Sequence, residues 1–390
     1  MKTIPLGDLT ADEFLQDYWQ KQPLLIRNGI ENFQSPLSPD ELAGLACEEE
    51  VESRIILEKG ADKPWKCRHG PFKERDFAKL PATHWTLLIQ ECNKYHQDIA
   101  LLLERFNFIP NWRIDDVMVS YAPKHGSVGP HIDQYDVFLL QGLGQRRWQI
   151  HTQPVDESDF IADLDLRILK HFVADEDWIL NPGDMLYLPP GVAHYGVALE
   201  DCITLSIGFR APSYADMISS FIEYQLSHLD SDLFAPRYTD PELSSQKHPG
   251  EITKGILDKI QHLIKNELNQ TETIERWFGR FVTEPKHAPM DPLLPELTPE
   301  QFLQQFQLSG QLFRSEYSRF SYINLNKEDV FLYIDGEETK LPEPLQELAP
   351  LICDRRQYTY EQLKQKITDE ATLSFFTQLT NAGKLWFADE

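Results

Sequence analysis

The stretch Gly126-Ser127-Val128-Gly129-Pro130-His131-Ile132-Asp133-Gln134-Tyr135-Asp136-Val137-Phe138-Leu139-Leu140 decides how this chain is read. A glycine-containing loop leads into His131-Ile132-Asp133, and the run Asp136–Leu140 behind it predicts a buried strand. Side chains alternate along an extended segment, so His131 and Asp133 share a face while Ile132 points away. An imidazole beside a carboxylate makes two arms of a metal chelate, and His194 is the best candidate for the third. Two histidines and one carboxylate on one face of a metal, with the opposite face open, suit non-haem Fe(II) and oxygen chemistry.

His194 closes the segment Gly183-Asp184-Met185-Leu186-Tyr187-Leu188-Pro189-Pro190-Gly191-Val192-Ala193-His194. Pro182-Gly183-Asp184 predicts a turn, Met185–Leu188 a strand, and Pro189-Pro190-Gly191 a second turn that presents His194 at the strand mouth. The spacing matches the second cupin motif, although Ala198 stands where that motif often has asparagine.

Iron of this kind needs a co-substrate to activate O2, and two-oxoglutarate leaves a distal carboxylate that asks for a cation. Arginine suits it through its bidentate fork. In Gln145-Arg146-Arg147-Trp148-Gln149-Ile150, the apolar company of Trp148 and Ile150 marks the Arg146 face as the inner one, and Arg147 and Gln149 face water. Thr204 is assigned to the co-substrate together with Arg146. Asp116, Met118 and Ser120 alternate onto one face of the entering strand, Tyr135 continues the His131/Asp133 face, and Ser206 follows Thr204 on a late strand. An acid, an apolar wall, an aromatic ring and a hydroxyl could grip a guanidinium and its methylene stem. Ordinary strand polarity at a barrel mouth accounts for each of these residues singly.

The chain around this centre has 390 residues, enough for two or three domains. Its 62 Asp and Glu against 37 Lys and Arg leave a net charge of −25, which repels nucleic acid and favours a cationic partner, or serves solubility alone. No apolar run approaches a membrane span, no apolar leader follows Met1, and the five scattered cysteines have no metal-ligand spacing. Free thiols in a reducing cytoplasm are expected.

From Trp112 to Phe209 the pattern predicts strands at Asp116–Tyr121, Val137–Gln141, Arg146–Ile150, Met185–Leu188 and Ile203–Phe209, separated by glycine and proline turns, as in a double-sheet jelly roll. Upstream, Thr10-Ala11-Asp12-Glu13 is a capping box opening a short helix, Leu24-Leu25-Ile26 a strand, and residues 38–50 and 83–105 are helical by periodicity. Downstream, helices are expected over 213–229, 251–268 and 272–283. The second carries a wide apolar stripe from Ile252 to Leu268, which suits internal packing or a dimer interface. Pro285, Pro289, Pro292, Pro295 and Pro299 mark a linker. A helix from Thr298, two strands around Asp335-Gly336, further helices and a last strand at Lys384–Phe387 then resemble a winged helix. With ten Lys and Arg against seventeen Asp and Glu, residues 286–390 are acidic, which suits protein contact rather than DNA.

Gly129–Asp133, the following Gln134–Phe138, Arg146-Arg147-Trp148 and Gly183–His194 together resemble the Jumonji-C two-oxoglutarate oxygenases, and within them the bacterial ribosomal-protein arginine hydroxylases. The resemblance extends over nearly the whole chain, from Tyr18-Trp19-Gln20-Lys21 to the C-terminal module. It implies an α+β architecture: a jelly-roll catalytic domain with N-terminal helices over 1–211, a helical dimerisation domain over 212–285 and a winged-helix-like domain over 286–390. It implies Fe(II) at His131, Asp133 and His194, two-oxoglutarate at Arg146, a cytoplasmic homodimer, and hydroxylation at the β-carbon of an arginine in a basic large-subunit ribosomal protein. Eukaryotic relatives act on histidine and usually anchor the co-substrate with lysine, so Arg146 fits the bacterial branch. Histidine hydroxylation, N-methyl-lysine demethylation and a non-enzymatic cupin-like module binding a basic partner are the alternative readings.

Overall fold

The structure is a computed structural model, and it describes all residues except 1–3, 59–64, 163, 165, 229–236, 246, 270, 287–294, 327–328 and 389–390. Two compact units divide the chain: Met1–Ala211 with Met290–Tyr317 and Leu351–Glu390, and Pro212–Pro289 with Ser318–Pro350. Pro289 and Pro292 of the proline-rich segment lie outside the described residues.

Among the described residues, eleven strands build the catalytic part of the first unit. They are β1 (Leu24–Ile26), β2 (Ser53–Glu58), β3 (Trp65–His69), β4 (Trp85–Ile89), β5 (Ile114–Ala122), β6 (Val137–Leu143), β7 (Arg146–His151), β8 (Glu176–Leu180), β9 (Met185–Leu188), β10 (Ala193–Ala198) and β11 (Cys202–Phe209). Eight form one sheet in the order β1-β9-β6-β11-β5-β4-β2-β3, and three form a second, β10-β7-β8. Every pairing among the described residues of these strands is antiparallel, as the jelly-roll reading requires. β6, β9 and β11 are apolar and buried along almost their whole length because they lie in the middle of the large sheet and are covered on both faces. Phe14, Phe106, Phe138, Tyr187 and Phe209 pack a fully buried aromatic cluster on the outer face.

One expectation fails. Residues 83–105 were expected to form a single helix, but Trp85–Ile89 is a strand paired with β2 and β5, and only Gln97–Leu102 is α-helical. A short buried apolar run satisfies both periods, and the long-range ladder, invisible in local spacing, decides between them. The helix expected over 38–50 is confined to Pro39–Leu45, with Ser38 and Glu41 forming its capping box. The helix capped by Thr10 runs Ala11–Asp17, as read from its box.

Behind it, Gln20, in the left-handed region at φ 57°, enters a buried polar knot. Its backbone N–H donates to the Tyr187 hydroxyl at 2.7 Å, the hydroxyl donates to Asp136 at 2.7 Å, and the Gln20 amide and Arg113 donate to the other Asp136 oxygen at 2.9 and 3.1 Å. Asp136 has no exposed surface. The knot fixes the start of β6 just downstream of the His-x-Asp stretch, and it gives the Tyr18–Lys21 segment a structural purpose.

In the second unit the helices Tyr214–Ser227, Lys254–Leu268 and Thr271–Thr283 match the periodicity. The last packs on the sheet β13 (Phe320–Asn326), β14 (Asp329–Ile334) and β15 (Glu337–Lys340), so closely that a Cβ at Gly279 would stand 2.4 Å from the Tyr333 ring. Asp335 and Gly336 both have positive φ, the hairpin turn their sequence announces. In the first unit, β12 (Gln311–Arg314) pairs with β16 (Gln357–Thr359) and β17 (Leu385–Phe387), flanked by helices Pro299–Ser309 and Glu370–Asn381.

Candidate active site

All nine residues singled out from the sequence line one cavity between the two sheets: His131, Asp133, His194, Arg146, Thr204, Asp116, Met118, Tyr135 and Ser206. Pro130–Asp136 is not a regular strand, as its alternation suggested. It makes a single antiparallel bridge, in which the His131 and His194 backbones exchange hydrogen bonds of 3.0 and 2.9 Å, and the Gly191 N–H donates to the Asp133 carbonyl at 2.7 Å. The bridge ties the two motifs, distant in sequence, into one rim.

His131 Nε2 lies 3.8 Å from Asp133 Oδ1, and His194 Nε2 lies 3.6 Å from Asp133 Oδ2. The three ligand atoms fall within 4.8 Å of one another, so one cation reaches all of them. Each Nδ1 contacts a backbone carbonyl, Gly129 at 2.9 Å for His131 and Val192 at 3.0 Å for His194. A carbonyl only accepts, so the proton sits on Nδ1 and the Nε2 lone pair faces the gap, the tautomer a metal ligand needs. Burial, reinforced by the neighbouring His131, lowers the His194 imidazole to about 4, which keeps it neutral near pH 7. The donor set fits Fe(II).

Arg146 is 2 % exposed. Its Nη1 donates to Ser120 Oγ at 3.2 Å and Thr204 Oγ1 at 3.3 Å, and Thr204 Oγ1 donates to Gln141 Oε1 at 3.0 Å. These residues stand side by side because Thr204 pairs with Ser120 on one side and Gln141 on the other. No carboxylate among the described residues pairs with this guanidinium, its Nε has no hydrogen-bond partner, and burial pulls its pKa down. A buried cation in that state is expensive unless an anion joins it. The distal carboxylate of two-oxoglutarate would supply that charge. Arg147, one residue on, lies on the outside and pairs with Asp177 at 2.8 Å, so the register is the one its neighbours predicted.

Toward the mouth, Ser206 pairs with Met118, and Asp116 and Tyr135 converge over Gly208. The crowding of the site, followed by the charges of Asp133, Asp116 and Asp115, raises the Tyr135 phenol, so it stays a neutral ring. Gln141 and Gly208 were not singled out from the sequence. A polar residue ending the apolar run of β6 was the available signal for Gln141; nothing local marked Gly208.

Family models match a JmjC domain over residues 101–217 and a ROXA-like winged helix over 260–385. Over 380 residues the chain is 36 % identical to the ribosomal protein uL16 3-hydroxylase of Escherichia coli (strain K12), covering 97 % of this chain and 98 % of that one. The chain belongs to the JmjC-domain ribosomal oxygenases. Solved structures of this family agree in fold. An X-ray structure of E. coli YcfD matches at TM-score 0.86 and 35 % identity, covering 98 % of this chain and 99 % of that one. YcfD in complex with cobalt and 2-oxoglutarate matches at TM-score 0.81 and 34 % identity over the same shares. The ribosomal oxygenase described here is thus a two-oxoglutarate- and Fe(II)-dependent enzyme that consumes O2. No helix of its described residues is long and apolar enough to cross a membrane.

Proposed function

We propose that this oxygenase hydroxylates the β-carbon of an arginine in a basic large-subunit ribosomal protein, in the cytoplasm and as a homodimer. His131, Asp133 and His194 hold Fe(II), Arg146 and Thr204 hold two-oxoglutarate, and Asp116, Met118, Tyr135 and Ser206 hold the substrate side chain. The observation that carries the substrate reading is the convergence of the Asp116 carboxylate and the Tyr135 ring over Gly208, in the same cavity as the triad. A carboxylate and an aromatic face are what a planar guanidinium binds. The E. coli relative is a 3-hydroxylase of ribosomal protein uL16, which supports a large-subunit ribosomal protein as the partner.

When bound, Fe(II) and two-oxoglutarate supply the oxidation: decarboxylation gives succinate and CO2, and one atom of O2 enters the substrate C–H bond. The chain orients and excludes. Asp116 pairs with the guanidinium, Met118 and Ser206 line its stem, and the walls of the two sheets keep bulk water from the reacting carbon. The net charge of −25 raises the encounter rate with a cationic partner.

Exposed apolar columns support the dimer. Tyr214, Ile218, Ile222 and Leu226 repeat every four residues on one helix, and Ile252, Leu257, Ile260, Leu263, Ile264 and Leu268 stand exposed on and just before the next. A second copy of the same surface covers such columns most economically, because a two-fold axis makes the patch its own partner. The acidic winged helix is read as a protein-contacting or structural module.

The test compares a basic ribosomal-protein peptide carrying arginine with its lysine and histidine versions, by mass spectrometry. Preferential hydroxylation of the arginine peptide is expected. Equal modification of all three, or preference for histidine, overturns the arginine assignment. Formaldehyde release from a methyl-lysine peptide points to demethylation instead.

A further inference from the structure

Several glycines of this chain have a visible structural reason. A Cβ at Gly196 would stand 2.6 Å from the Trp148 ring, and Gly129, Gly144 and Gly183 have positive φ. Gly208 has neither reason. It lies inside β11 opposite Val137, where the pairing with β5 slips between Ile207 and Phe209, and its φ is outside the left-handed region. A Cβ there would meet Asp116 Oδ1 at 3.4 Å, the Asp116 carbonyl at 3.8 Å and Tyr135 Cε2 at 3.8 Å, all ordinary contacts. The register slip beside it suits a glycine, but the fold would also accept alanine there without a steric clash.

The atoms that a methyl group at 208 would touch belong to the two residues assigned to the substrate's guanidinium, and Gly208 itself lines the cavity. We propose that Gly208 is a specificity-determining residue: its missing side chain is the space in which the arginine head group lies between the Asp116 carboxylate and the Tyr135 ring. This inference rests on the reading of the site as an arginine hydroxylase. A guanidinium is flat, so it can stack on the ring while pointing its N–H groups edge-on at the carboxylate. A methyl group from below takes that space and covers one carboxylate oxygen. A shorter side chain reaches less far toward the Asp116 end and loses less.

The experiment uses the full-length iron-loaded enzyme with two-oxoglutarate and compares wild type with Gly208→Ala on arginine and histidine versions of one basic peptide. The expected result is that the selectivity for arginine over histidine, as a ratio of kcat/KM, falls roughly tenfold or more. The peptide KM should rise far more than the two-oxoglutarate KM. Unchanged selectivity overturns the inference, even if overall activity falls, because a purely structural glycine would lower both peptides alike. A second measurement needs no variant: wild type should reject a peptide whose arginine carries two methyl groups on one terminal nitrogen, which fill the same space from the ligand's side. Equal hydroxylation of that peptide also overturns it. A wild-type enzyme that modifies no arginine peptide sinks the substrate reading and this inference with it. An arginine-selective wild type with an indifferent Gly208→Ala sinks this inference alone.

Discussion

Arg146 carries its charge almost wholly out of water, with two hydroxyl groups and the Trp148 ring beside it. Truncating one partner of a buried charge pair costs about 2–5 kcal/mol. Arg146→Met should therefore raise the two-oxoglutarate KM by at least an order of magnitude in steady-state succinate assays. Arg147→Met should change it little, because its partner Asp177 lies on the surface, where an ion pair is worth about 0–1 kcal/mol. The reverse ranking would place the strand one residue out of register. At the metal, His131→Ala should abolish two-oxoglutarate turnover and leave the melting temperature near that of the wild type, since this part-exposed rim side chain is not part of the core. A purified His131→Ala protein with full turnover refutes the metal assignment. Both arginines and the triad were legible from the sequence because alternation and motif spacing are local properties. Gly208 was not, because its meaning lies in two side chains from other segments.

At the scale of the element, β10 depends on a cross-strand contact. Gly196 pairs with Trp148, whose ring fills the space where a Cβ would stand. Gly196→Ala must push β10 away from β7, at about 1–3 kcal/mol as overpacking usually costs. Because His194 lies on the same strand, activity should fall together with the urea midpoint. A variant with wild-type midpoint and turnover would show that the ring yields freely. The turn before β9 depends on Asp184, 4 % exposed, which accepts from the backbone N–H of Asn28 and Asn181 at 3.0 Å each and from Arg27 at 2.6 Å. Burial alone would raise its carboxyl, but these donors outweigh burial and hold it below the usual range. A carboxylate whose pKa is lower folded than unfolded adds stability that is fully present above the unfolded value, about 3.9, and is lost as pH falls through the folded one. Asp184→Asn should thus destabilise the protein near neutral pH, and its deficit in urea unfolding should shrink below about pH 4. A deficit constant with pH would assign the effect to packing.

For the whole molecule, the exposed columns predict a species of about twice the 45.3 kDa chain mass by light scattering at micromolar concentration. Ile260→Asp combined with Leu263→Asp should shift it to monomer, since each large apolar side chain buried at the interface is worth about 1.5–3 kcal/mol. A wild-type monomer would return these columns to another role. The charge of −25 makes a second prediction: added salt should weaken turnover of a basic protein substrate before it affects two-oxoglutarate, because only the former is steered over a Debye length of about 8–10 Å. Equal salt sensitivity of the two would remove steering from the account.

The sequence by itself pointed to the jelly roll, the clustering of His131, Asp133 and His194, the inward arginine and the hairpin at Asp335-Gly336, because each is written in strand alternation, turn residues or motif spacing. It also carried the family, through motifs separated by known gaps. Only the tertiary structure decided that Trp85–Ile89 is a strand, since its partners are Ser53–Glu58 and Ile114–Ala122, far along the chain. The same holds for the His131–His194 bridge, the Gln20–Tyr187–Asp136 knot and the slot over Gly208. These are meetings between distant segments, and the free energy that selects them comes from ladders and packing that no local window of sequence contains.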